Sequence, residues 1–189
     1  MKFPRIGLIA AAAAVSALFA LAPAGAHEAH VHGLGKLDVA LDGNTLTLHL
    51  DTPLVNLLGF EHAAKSAQDR QAAQKMSTQL RSAAGMFAPT PAAECKPASV
   101  KLVSAALEPA LLGEAPATAK PKPAHAAASE HADLDGDFVF HCAHPERLQA
   151  IDVKLFDAFP GFHQIDVQAV TPKRQSAFTL KPGATSIPL

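Results

Sequence analysis

The chain holds no tryptophan and no tyrosine, only two cysteines, and nearly balanced charge: 17 Asp and Glu against 16 Lys and Arg. Each shortage excludes something. A formal charge of −1 without aromatic–basic clusters removes the electrostatic case for a nucleic-acid binder. Cys95 and Cys142 are far apart in the chain, so neither a CxxC redox motif nor a thiolate metal cluster is available. There is no GxSxG turn, no glycine-rich phosphate loop and no HExxH. With no such framework for catalysis, the chain is expected not to be an enzyme. Beyond the first residues, no apolar run is long enough to span a bilayer.

One apolar run stands at the front. Lys2 and Arg5 precede an uncharged stretch from Ile6 to Ala22, and Ala24-Gly25-Ala26 has the small-x-small form of a cleavage site. Residues 1–26 therefore read as a secretory signal peptide, because the run is mostly Ala and short of the roughly 20 residues a span needs. The remainder, 27–189, is expected to be one exported domain with no membrane span. It carries net −3 once Lys2 and Arg5 are removed. In an oxidising compartment Cys95 and Cys142 are expected to pair, with a stabilisation of about 4 kcal/mol in the chain-entropy picture.

Lys36 to Leu41 and Asn44 to Asp51 alternate polar and apolar residues on either side of Asp42-Gly43. The pattern predicts a hairpin turning at Asp42-Gly43, with Val39 facing Leu46, Leu37 facing Leu48 and Lys36 facing His49. Leu54 to Phe60 reads as a short apolar connection. Glu61 to Ala84 lacks Gly and Pro and repeats Ala73, Met76, Leu80, Ala83 and Phe87 at helical steps, which predicts one main helix lying on a sheet. Strands are expected at Ser99 to Glu108, Asp137 to Cys142, Ile151 to Phe156, Gln164 to Thr171 and Ser176 to Leu180, with a helical turn at Pro145 to Gln149. The Ala-, Pro- and Lys-rich stretch 109–132 reads as an inserted, exposed linker. With no βαβ repeat, this order points to an α+β domain: a mainly antiparallel sheet, or a small sandwich, with one main helix.

Histidine is what the chain has in plenty, ten residues, and imidazole is a ligand near pH 7. Cleavage would leave His27-Glu28-Ala29-His30-Val31-His32 at the new N-terminus. His30 and His32 share a side if this segment is extended. Continuing the hairpin register brings them toward His49 and Asp51, a nitrogen and oxygen set of the kind Zn²⁺ takes. A freed His27, offering its α-amine and its ring, would instead favour Cu²⁺. A second grouping, His125, Glu130, His131, Asp133, Asp135 and Asp137, lies in and just after the linker and lacks the twelve-residue pattern of a calcium loop. A third, His141-Cys142-Ala143-His144, includes a disulfide cysteine, and His141 falls on the opposite strand face from Phe138 and Phe140. His62 and His163 each stand alone, where histidine is more often structural than a ligand.

Four separated motifs occur in order: HEAHVHGLGKLDVALDG from His27, GFEHA from Gly59, LFDAFPGF from Leu155 and DVQAVTP from Asp166. Together they resemble the ZrgA-like family of exported bacterial zinc-uptake-associated proteins, over nearly all of 27–189, and both cysteines fall where the family's pair does. The resemblance implies a periplasmic zinc-binding accessory to a high-affinity zinc ABC importer, holding or passing on Zn²⁺ without catalysis. It matches His30 and His32 to the family's opening H-x-H and Glu61 and His62 to its GFEH, and places His27, His125 and His131 in its His-rich regions. His30, His32 and His62 then head the ligand set, with His27, His49, His125, His131 and His141 behind them. The family's dense central His/Glu tract thins here to His125 and Glu130-His131, which shifts expected binding to the other histidines. Two rival readings are an envelope interaction module that binds no metal and a copper-binding protein using His27.

Overall fold

A computed structural model of the chain describes residues 31–115 and 132–189. The expected signal segment and His27, His30, His125 and His131 lie outside the described residues.

β1 (Leu34–Asp42) and β2 (Thr45–Pro53) form the expected hairpin, two residues away from the expected register. Leu37 faces Leu50, Val39 faces Leu48, Asp38 faces His49 and Lys36 faces Asp51. Gly43 accounts for the shift. The turn is Gly43-Asn44, and Gly43 takes φ +56° while Asn44 stays out of the positive region, the type II′ pattern that requires Gly first. Because side chains alternate with period two, a two-residue shift keeps every leucine facing the core and changes every polar partner.

The chain continues through α1 (Leu54–Leu58), α2 (Ala67–Arg81), α3 (Ala83–Met86), β3 (Phe87–Pro89) and β4 (Cys95–Val103). After the second undescribed stretch come β5 (Asp133–Cys142), β6 (Ala150–Val153), α4 (Leu155–Ala158), β7 (Gln164–Val170), β8 (Gln175–Leu180) and β9 (Ser186–Pro188). Six strands form one sheet in the order β4-β5-β2-β1-β7-β8, antiparallel except for β1 beside β7. The other three form a small antiparallel sheet, β3-β6-β9. The two sheets share one core, in which Phe87 lies edge-on to Phe138 at 4.8 Å. The fold is an α+β small sandwich, as the order of elements implied. β3 and β9 are three residues each, too short to show a period. β6 ends at Val153, where an expected longer strand turns into α4.

Among the described residues α2 is the one long helix, and it starts six residues later than its composition suggests. A helix must satisfy its first N–H groups, and Ser66 does this: its hydroxyl accepts from Asp69 N at 3.0 Å, and the Asp69 carboxylate accepts from Ser66 N at 3.1 Å. Ala73, Met76 and Leu80 are its buried stripe. The front of the stretch read as exposed linker packs down. Pro109–Leu112 is a 3₁₀ turn with Leu111 and Leu112 buried, and Glu114 pairs with Arg81 and accepts from Leu102 N. The polar composition of the stretch as a whole hides its two adjacent leucines. Among the described residues, no helix is long and apolar enough to cross a membrane.

Cys95 and Cys142 stand opposite each other in the β4–β5 pair and are disulfide-bonded, 47 residues apart in sequence. Replacing both by Ala is expected to lower the unfolding free energy by about 4 kcal/mol, read from the fall in the denaturation midpoint.

Candidate metal centre

The first donor pair stands at the end of the sheet where β1 begins. Asn56, buried in α1, makes three hydrogen bonds: its Nδ2 donates to Leu34 O (2.9 Å) and Thr52 Oγ1 (3.0 Å), and its Oδ1 accepts from Gly33 N (2.7 Å). These bonds pin the turn Val31 to Leu34 against the sheet. The Gly33 carbonyl in turn accepts from His163 N and Gln164 N, which ties the start of β7 to the same point. Gly33 has φ +85°, and a Cβ there would stand 2.7 Å from His163 Nδ1, so the His163 ring lies against the backbone next to His32. His32 projects from this turn with Nε2 3.1 Å from Glu61 Oε1. The imidazole is 59% exposed and the carboxylate 14%: a largely buried anion holds a histidine at the rim.

His62 is differently engaged. Its ring stacks on Phe60 with centroids 4.6 Å apart, and its Nδ1 donates to Ala63 O at 3.1 Å. Within the GFEH motif it is thus Glu61 that turns to His32. His141 is exposed on β5 beside Thr45 and Lys96, away from the buried Phe138 and Phe140. His144 Nδ1 lies 3.6 Å from Glu146.

The second grouping of donors occupies the polar face of the large sheet. Pairing of β5 with β2 sets Asp137 opposite His49 and Asp135 opposite Asp51. On the other side of β2, β1 sets Asp38 opposite His49 and Lys36 opposite Asp51, and β7 adds Asp166 and Gln168. His49 Nδ1 is 2.7 Å from Asp137 Oδ1, and its Nε2 is 3.9 Å from Asp135 Oδ1. His32 and His49, expected to converge, stand in separate settings: His32 lies in the turn ahead of β1, and His49 sits opposite Asp38, well inside it. Instead His49 meets the aspartates that the sequence places beside the linker. The alternation of Leu134, Gly136, Phe138 and Phe140 against Asp133, Asp135 and Asp137 is the signal for this, since it extends β5 back across the Asp run. Among the described residues, no three His, Cys, Asp or Glu side chains are already gathered closely enough to enclose an ion.

The hydrogen bond to Asp137 raises the pKa of His49 above its ordinary 6.5, against the opposing effect of burial, and the charges of Asp137, Asp135 and Asp38 add to the rise. Asp135 is also pushed up, first by burial and then by Asp51, with His49 opposing and Asp137 adding. A histidine with a raised pKa stabilises the fold fully below its unfolded value, and that stability is lost as pH rises through the folded value. In an NMR titration, the His49 ring is expected to show a midpoint above 6.5, moving back toward that value in Asp137→Asn.

Residues 29–189 match the family described as ZrgA family zinc uptake protein, and the chain belongs to that family. No curated protein matches the chain.

Proposed function

On the premise of that membership, we propose that the chain is a periplasmic zinc-binding accessory protein that holds Zn²⁺ and passes it to a high-affinity zinc ABC importer. The observation that carries this reading is the His32–Glu61 pair, 3.1 Å apart, with His32 on an anchored turn. Zn²⁺ accepts imidazole nitrogen and carboxylate oxygen, and two donors on one tetrahedral ion stand about 3.4 Å apart, so only a small opening separates this pair from a ligating one. The backbone that carries His32 is fixed by Asn56, so part of the ordering cost is met before metal arrives.

Further donors are proposed from the remaining histidines that the family resemblance singles out. His27 and His30 immediately precede the anchored turn in sequence. His131 precedes Ala132, whose carbonyl accepts from Leu54 N at the head of α1. His125, and His62 beside Glu61, complete this set. A site with an exposed imidazole at its rim suits release as well as capture, which a donor to an importer needs. Export is supported by the disulfide, a bond that persists in oxidising compartments.

Calorimetric titration of the chain from His27 onward with Zn²⁺ tests this. His32→Ala and Glu61→Gln are each expected to weaken binding roughly tenfold or more, as loss of a ligand or of its orienting carboxylate does, with far-UV circular dichroism unchanged. Zinc-limited growth of a strain lacking the protein should be restored by the native chain and not by His32→Ala. Equal Zn²⁺ affinity in the native chain and both variants would remove the corner site, and growth unaffected by loss of the protein would remove the uptake role.

A further inference from the structure

The short helix α1 is inverted for a helix at the surface. Its one polar residue, Asn56, is buried, while the apolar Val55, Leu57 and Leu58 are left half-buried. A surface helix ordinarily turns its apolar stripe to the core and its polar side to water. Here the uncovered apolar side chains form one wall of an open groove of about 350 Å³. α2 supplies the second wall, Ala72 among its residues, and the turn at 158–161 the third. Of the described residues that line the groove, Lys75 alone is charged, and it is exposed.

The groove adjoins the corner that carries His32. Asn56 lines it, and the Asn56 Oδ1 holds Gly33 N, next to His32. Gly59 lines it too, and Glu61 follows two residues on, about 7 Å of chain at full extension. An ion passes directly from one protein to another only while donors of both stand within about 2.1 Å of it. The receiving protein must therefore contact the surface around His32, and this groove is continuous with that surface.

We infer that the groove is the docking site for the soluble component of the importer that takes the ion. The partner it fits presents an apolar side chain with a carboxylate beside it. The apolar side chain fills the space between α1 and α2, and the carboxylate meets Lys75. Buried anchors of this kind supply most of the energy of an interface, and a charge at the rim steers approach and rejects partners of the wrong sign. The identity of the partner rests on the uptake reading, but the groove uses none of the corner's donors.

The test uses the chain from His27 onward and the purified soluble zinc receptor of the importer, mixed with metal chelated so that docking is read apart from zinc capture. Surface plasmon resonance is expected to show saturable binding. Ala72→Gln, a good helix former that fills the groove, is expected to weaken binding at least tenfold. Lys75→Glu is expected to slow association several-fold at low salt and to abolish its salt dependence. Both variants are expected to keep the native circular dichroism and, since neither touches His32 or Glu61, the native calorimetric Zn²⁺ affinity. Lys75 is exposed, so its replacement decides the matter if Ala72→Gln does not fold. A native chain that ignores the receptor would overturn the docking site, as would variants that bind it like the native chain. Variants that lose self-association in sedimentation while still binding the receptor would overturn it too, making the groove a contact between copies. A chain that binds the receptor but no Zn²⁺ sinks the uptake reading alone, and one that holds Zn²⁺ at the corner but ignores the receptor sinks the docking site alone.

Discussion

The buried amide of Asn56 is the contact on which the arrangement of donors depends. An unpartnered amide in the core costs several kcal/mol, whereas a satisfied one holds its neighbours in a single geometry. Asn56 satisfies three groups from two strands: Gly33 N and Leu34 O at the start of β1, and the Thr52 hydroxyl near the end of β2. β7 joins the same junction through the Gly33 carbonyl. The turn after α4 presses so closely on α1 that a Cβ on Gly161 would collide with the Asn56 carbonyl, which is why glycine stands there. His32, His163 and the first residues of β1 all hang from this one knot.

The two faces of the large sheet divide the work physically. The inner face carries Leu37, Leu48, Leu50, Phe138, Phe140 and Val167, all buried in the core shared with α2 and the small sheet, and supplies apolar burial that holds the sandwich together. The outer face is released from packing and can carry charge. It gathers aspartates from four strands around one histidine, a local density that burial and mutual repulsion make uncomfortable for Asp135. The corner and the face therefore differ in kind. At the corner a well-buried carboxylate supports a single exposed imidazole, and on the face a half-exposed imidazole sits among several half-exposed carboxylates.

Much of this architecture is legible in the residue pattern. Period-two alternation identifies β1, β2, β7 and β8, and the stripe of Ala73, Met76 and Leu80 identifies α2, because burial of one face forces those patterns. The same argument fails on fine register: alternation does not distinguish pairings that differ by two residues, and only the φ requirement of Gly43 settles which one the hairpin takes. Asn56 is visible as the lone polar residue in Leu-Val-Asn-Leu-Leu, but two of its three partners, Gly33 and Leu34, lie more than twenty residues away. His62 and Glu61 are adjacent in one motif, and stacking on Phe60 turns the histidine aside while the carboxylate faces His32.

By itself, the sequence determined which residue types the protein can bring to a metal, which faces of its strands are buried, that its two cysteines are the ones to join, and the order of motifs that marks its family. These are local or compositional properties, set by side-chain chemistry and by the repeat of a strand or helix. Only the tertiary structure decided that Asp135 and Asp137 belong with His49 and that His32 belongs with Glu61. The His49–Asp137 and His32–Glu61 meetings join residues separated by 88 and 29 positions, and strand pairing and a buried amide, not distance along the chain, choose such partners.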